Sequence, residues 1–167
     1  ILGDLLLVSS MSCYLSAFTR KVREEALENF SDLLKQKEIK ISDNKTRIAL
    51  FLSEMNIKQW EKLGLPTHDF YTMNSLILSI CNRWPLIVDP EQQATNWIRN
   101  IEDSLMLIDA SDANLIQKIS QNVSQGVKTL IFNVRKTIDS NLDNLIQKKF
   151  YMRGNQKFLI LGDLEVP

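Results

Sequence analysis

The sequence predicts an α/β fold, a mainly parallel sheet between helices preceded by a helical segment, on the strength of three observations. Apolar residues recur at helical spacing through the first part of the chain. From Thr72 onward, helical patterns alternate with short apolar runs of strand length, the order that builds parallel sheets covered on both faces. The composition, 44% hydrophobic and 24% charged over 167 residues, suits a globular chain long enough to bury a core.

Leu5 to Ala17 is densely apolar, and Val22, Ala26, Leu27, Phe30, Leu33 and Leu34 then mark an amphipathic helix between Thr19 and Lys37. Its charges, Arg20, Lys21, Arg23, Glu24, Glu25, Glu28 and Lys35, read as the solvated face. Gln36 to Arg47 turns polar, broken only by Ile39 and Ile41, and is the best place for a domain boundary. A short helix is expected through Ile57 and Trp60, stopped near Gly64 and Pro66.

A helix from Thr72 to Asn82 leads into a short apolar strand at Leu86-Ile87-Val88, then a helix with Ala94, Trp97, Ile98 and Ile101 on one face. A second strand is expected at Leu105 to Ile108 and a helix carrying Leu115, Ile116, Ile119 and Val123 after it. A third strand, Leu130-Ile131-Phe132, follows Gly126, and Leu142, Leu145 and Ile146 mark one more helix. Phe150 to Met152 and Lys157 to Leu161 flank Arg153-Gly154-Asn155-Gln156, the pattern of a hairpin.

Twenty basic residues balance twenty acidic ones without clustering, which argues against a nucleic-acid or anionic-membrane partner. No apolar run approaches the roughly 18 residues that span a bilayer. Cys13 and Cys81 lie far apart in apolar stretches and read as buried thiols of a reducing compartment. The start at Ile1, already inside an apolar pattern, reads as a piece of something longer. His68, the single histidine, sits in a polar turn and has no second histidine for a metal pair, so no metal site is expected. Asp109, Asp112, Asp139 and Asp143 read as caps near helix starts, and Trp60, Trp84 and Trp97 as packing residues.

Chemistry in an open α/β sheet belongs at the carboxyl ends of strands, where helix N-termini present N–H groups to anions. The first such junction here is Val88-Asp89-Pro90-Glu91. A phosphate loop would read G-x-x-x-x-G-K-[ST] at this place, with glycines for close backbone approach, lysine for charge and a hydroxyl for magnesium. Laid over Asp89, Pro90, Glu91, Gln92, Gln93, Ala94, Thr95 and Asn96, the pattern loses both glycines, the lysine and the hydroxyl residue. Asp89 before Pro90 reads instead as an N-cap with proline at the first helical position, and Glu91 adds charge that suits the helix dipole. The third strand runs into Asn133 and Val134, where an ATPase of this layout would carry Asp for the magnesium shell and often Glu to orient water. Two losses in two motifs favour a structural module.

The residues Gly64-Leu65-Pro66, Asn74, Arg83-Trp84-Pro85-Leu86-Ile87-Val88-Asp89-Pro90-Glu91-Gln92-Gln93-Ala94 and Trp97-Ile98 resemble the fifth AAA+ module of dynein heavy chains. That family's degenerate first motif has the form R-W-P-L-x-x-D-P-Q-x-Q-A, with Glu91 here in place of its usual glutamine. Gly3-Asp4-Leu5-Leu6, Tyr14-Leu15 and Phe18-Thr19 resemble the segment that follows the stalk. Gly126, Leu130, Asn133, Asp139 and Leu142 resemble the third strand and its helix, and Leu161-Gly162-Asp163 is similar to a late hairpin. Tyr71-Thr72-Met73 departs from the more usual Ser-Ile-Glu, and Arg135 stands where glycine is common.

The resemblance implies that residues 1–38 end the helical small subdomain of one AAA+ module. It implies that residues 39–167 form the P-loop NTPase-like large subdomain of the next, incomplete at its C-terminal end. It further implies a non-hydrolysing ring segment that binds no cofactor itself, in a parent motor that uses ATP and magnesium. The implied partners are the other AAA+ modules of the same heavy chain and, through the parent complex, microtubules and dynein intermediate and light chains. The implied place is the cytoplasm and cytoskeleton, in particular the ciliary axoneme. Two other readings are a free-standing diverged P-loop nucleotide-binding protein and a helical adaptor working through residues 1–38.

Overall fold

The computed structural model describes residues 1–43 and 51–167 and divides the chain into two compact units, Ile1–Cys81 and Asn82–Pro167. Of the polar stretch read as a boundary, Asn44 to Arg47 lies outside the described residues.

The first unit is helical. Helix α1 (Leu2–Ser10) continues into a π-helical turn (Met11–Leu15), and α2 (Arg20–Gln36), α3 (Glu54–Lys62) and α4 (Asp69–Ile80) follow. Met11, Leu15, Leu52, Met73 and Leu76 form the core, with Ala26, Leu27, Trp60 and Ile77 packed against it. The Ser53 hydroxyl caps α3 by accepting the Asn56 N–H at 3.3 Å. His68 is the N-cap of α4, its Nδ1 accepting the Phe70 N–H at 3.1 Å, so the imidazole closes a helix rather than lying idle in a turn.

Two charged residues depart from the solvated-face expectation or anchor the backbone unexpectedly. Arg23, read as surface, is only 6% exposed and donates to the Phe18 and Ser16 carbonyls and to Asn74 Oδ1. Periodicity places it on the polar side of α2, but the turn before the helix folds back over it and supplies acceptors. Asp4 is fully buried, and its carboxylate accepts the Ser42 N–H at 2.7 Å and the Ser42 hydroxyl at 3.1 Å. Next to it, a Cβ on Gly3 would lie 2.5 Å from the Lys40 carbonyl oxygen and 2.6 Å from Ile41 Cγ2. The segment after α2 therefore runs back across the start of α1 at backbone contact.

In the second unit, β1 (Met106–Asp109) and β2 (Thr129–Phe132) pair in parallel, Leu107 opposite Leu130, with α6 (Leu115–Ser124) between them in sequence and α5 (Gln93–Ile101) before them. A 3-10 turn (Ser140–Leu142) and the short α7 (Asp143–Ile146) lead to an antiparallel sheet of β3 (Tyr151–Arg153), β4 (Gln156–Leu161) and β5 (Leu164–Val166). Gly154 takes φ 63° at the first position of the β3–β4 turn, which a primed two-residue hairpin demands. Leu159 and Leu161 alternate with exposed Ile160 and join Ile108, Leu115, Ile119, Leu142 and Val166 in one core.

The α/β class is as the sequence predicts, but the parallel part is smaller. Leu86-Ile87-Val88 joins no ladder among the described residues, and Leu86 and Val88 are 75% and 90% exposed. An apolar run becomes a strand only when a neighbour completes its hydrogen bonds, and the described strands pair elsewhere. Trp84, expected to pack, is half-exposed; its indole N–H donates to the Leu145 carbonyl at 2.8 Å and the Lys148 ammonium lies over its ring. Cys13 is exposed and Cys81 half-buried, against the expectation of two buried thiols. Among the described residues no helix is long and apolar enough to cross a membrane.

The backbone N–H of Ser42 is the main cause holding the Asp4 carboxyl down from an ordinary 3.8 to about 2, against the opposing effect of burial and with help from the Ser42 hydroxyl. Because the folded value is depressed, its contribution is present above about pH 4 and is lost as pH falls towards about 2. Protection of the Ser42 amide in hydrogen exchange is expected to fall over that window. Gly3→Ala should lower the unfolding free energy by about 1–3 kcal/mol in urea titrations, the cost of overpacking against backbone.

Candidate functional site

At the first junction the chain makes a turn before it makes a helix. Pro90 is not the first helical residue; α5 begins at Gln93, with Gln92 as its N-cap in the left-handed region at φ 57° and ψ 22°. The Gln92 N–H closes back on the Asp89 carbonyl at 3.2 Å, and the Asn96 N–H opens the helix on the Gln92 carbonyl at 3.0 Å. Asp89 is thus not the N-cap that its place before proline suggests. Its Oδ2 reaches across the turn to accept both the Thr95 N–H and the Thr95 hydroxyl at 2.8 Å. Thr95 is the third residue of α5, whose N–H has no partner within the helix. The longer reach wins because Thr95 offers two donors to one carboxylate oxygen.

The other residues of this loop face outward or brace it. Glu91 is exposed and accepts from the Gln93 side-chain amide at 2.7 Å; Pro90 and Asn96 are exposed, Gln93 and Ala94 half-buried. Trp97 is buried behind them and fixes the inner face of α5. The arrangement holds an anion at a helix N-terminus, and the anion is the chain's own.

At the second junction Asn133 follows β2 in the left-handed region at φ 58°, and its side-chain amide donates to Asp109 Oδ2 at 2.7 Å. Val134 is exposed. Asp109 ends β1, and its other oxygen accepts the Ser111 hydroxyl at 2.6 Å and the Ser111 N–H at 2.8 Å. These Ser111 bonds, with the Asn133 amide and the nearby Arg135 charge, hold the Asp109 carboxyl below its ordinary value. Its place near a helix start predicts a cap for Asp109. It links the ends of two neighbouring strands instead, and the signal was available: parallel strands ending in Asp and Asn bring those side chains to one edge.

Asp112 accepts the Asn114 N–H at 2.8 Å and pairs with Lys118 at 2.5 Å, while Asp139 caps the 3-10 turn through the Asn141 N–H at 2.9 Å. Among the described residues, no three His, Cys, Asp or Glu side chains gather as a metal-ligand set.

Residues 58–167 match the family model of the ATP-binding dynein motor region. The chain is 31% identical over 170 residues to human dynein axonemal heavy chain 10, an alignment covering 99% of the chain and 4% of that protein. It is 34% identical over 169 residues to human dynein axonemal heavy chain 17, covering 98% of the chain and again 4% of that protein. Against the ciliary dynein beta chain of Tripneustes gratilla it is 31% identical over 168 residues, with the same two coverages. The chain spans about 4% of the length of these curated relatives.

Asp89→Ala and Thr95→Val should each lower the unfolding free energy by about 1 kcal/mol, the usual size for a lost helix cap. The double variant should cost little more than either single one, since the two side chains share one interaction. Chemical denaturation of the three variants measures this directly.

Proposed function

The chain belongs to the dynein motor family, and on that premise we propose that it is a non-hydrolysing AAA+ ring segment of a dynein heavy chain. Its role is to pass motion between the hydrolysing modules, the linker and the stalk. In this reading residues 1–38 end one small subdomain and residues 39–167 belong to the next large subdomain. The parent is a minus-end-directed, ATP-driven microtubule motor that uses ATP and magnesium. It works with intermediate and light chains, and its place in the axoneme is suggested by relatives named axonemal and ciliary.

The observation that carries the proposal is the Asp89 carboxylate on the Thr95 amide and hydroxyl. A phosphate at that helix end would need the same donors. It would also meet the Asp89 charge, a repulsion of about 4 kcal/mol at about 4 Å and an effective dielectric of about 20. Thr95 stands where the phosphate-binding lysine would be, and Asn133 spends its amide on Asp109 instead of offering a carboxylate to magnesium. The residues present do not suit a magnesium nucleotide.

With magnesium and millimolar ATP, the chain should release phosphate no faster than buffer and show no saturable nucleotide binding by calorimetry. Turnover that disappears in Thr95→Ala or Asn133→Ala would overturn the reading.

A further inference from the structure

The boundary proposed at residue 38/39 lies inside one compact unit, Ile1–Cys81. Apolar packing joins its two sides, since Met11 and Leu15 share a core with Met73 and Leu76. Such packing resists separation, but it is non-directional and fixes register weakly. Among the described residues, the Asp4 carboxylate on Ser42 adds directional bonds across 38/39 at α1, and Arg23 adds them between the α1–α2 turn and α4. The Arg23 guanidinium donates through Nε to the Phe18 carbonyl at 2.8 Å, through Nη2 to the Ser16 carbonyl at 2.6 Å and through Nη1 to Asn74 Oδ1 at 2.5 Å. Its carbon also lies 4.7 Å from the centre of the Phe70 ring.

Phe70 and Asn74 are four apart on α4 and so share a face, while Ser16 and Phe18 form the turn between the π-helical turn and α2. All three hydrogen-bond acceptors are neutral, and burial pushes the guanidinium below its ordinary pKa. A charge held this way is a poor source of stability, for which an apolar side chain would serve as well or better. What a guanidinium offers instead is a rigid planar fork that can address several acceptors at fixed angles.

We propose that Arg23 is the directional tie between α4 and the α1–α2 turn, locking the two in register so that they move as one block. The placing of the module boundary rests on the functional reading above; the tie does not. In the intact 167-residue chain, amides of α1–α2 and of α4 should exchange through a common opening. Arg23→Met keeps the apolar packing and removes the fork. It should separate the two segments' opening rates by about tenfold or more, the scale of a lost hydrogen bond to a charged group, leaving β1 and β2 unchanged. Arg23→Lys, which keeps charge without the fork, should not restore the common opening.

If both segments of Arg23→Met still open together, packing alone couples them and the proposal fails. Should that variant not fold, Asn74→Leu decides, because it removes only the far acceptor. Separated opening supports the tie, and unchanged exchange overturns it. None of these readings uses nucleotide, so the appearance of ATP turnover would remove the functional proposal and leave this one standing.

Discussion

A helix N-terminus offers several amide hydrogens and must find acceptors for them, and in the second unit the acceptor chosen at α5 is Asp89. That choice orders everything around it. To carry its carboxylate to Thr95, the chain folds through Pro90 and Glu91, and Gln92 adopts a left-handed backbone that its side chain does not favour. The turn in turn sets where α5 begins, and so which of its residues faces inward, with Trp97 buried as the result. An anionic ligand would have to displace a carboxylate tethered in place, which is a competitor at very high local concentration.

The far ends of the parallel strands follow the same pattern. Position 133 carries no charge, yet the edge is not empty of charge, because Asp109 on the neighbouring strand supplies one and the Asn133 amide donates a hydrogen bond to it. Both junctions are closed by hydrogen bonds within the chain.

Much of this was legible in the sequence, and the exceptions have physical causes. Period and strand length located α2, α5, α6, β1, β2 and the Gly154 hairpin, since each depends on local spacing. The Asp89 to Thr95 pairing was legible as a tendency but not as a register: the sequence suggested a cap to adjacent residues, and the observed cap spans six. Arg23 and Asp4 were underestimated because their partners come from turns or distant segments, 38 residues away for Asp4 and 51 for one of the Arg23 contacts. Leu86 to Val88 misled for the opposite reason: local apolarity is necessary for a buried strand, and a neighbour is also required.

The run from Glu38 to Ser42 shows how composition can hide a constraint. It is polar and follows a helix, which usually marks a place where chains gain and lose residues freely. Here the Ile39 N–H is bound to the Leu34 carbonyl, Lys40 and Ile41 lie on Gly3, and the Ser42 N–H ends on Asp4. Both ends of the run are fixed and its middle lies against backbone, so it has no slack. Among the loops of the first unit this is where homologues should hold their length most strictly, although its residues look like those of an ordinary spacer.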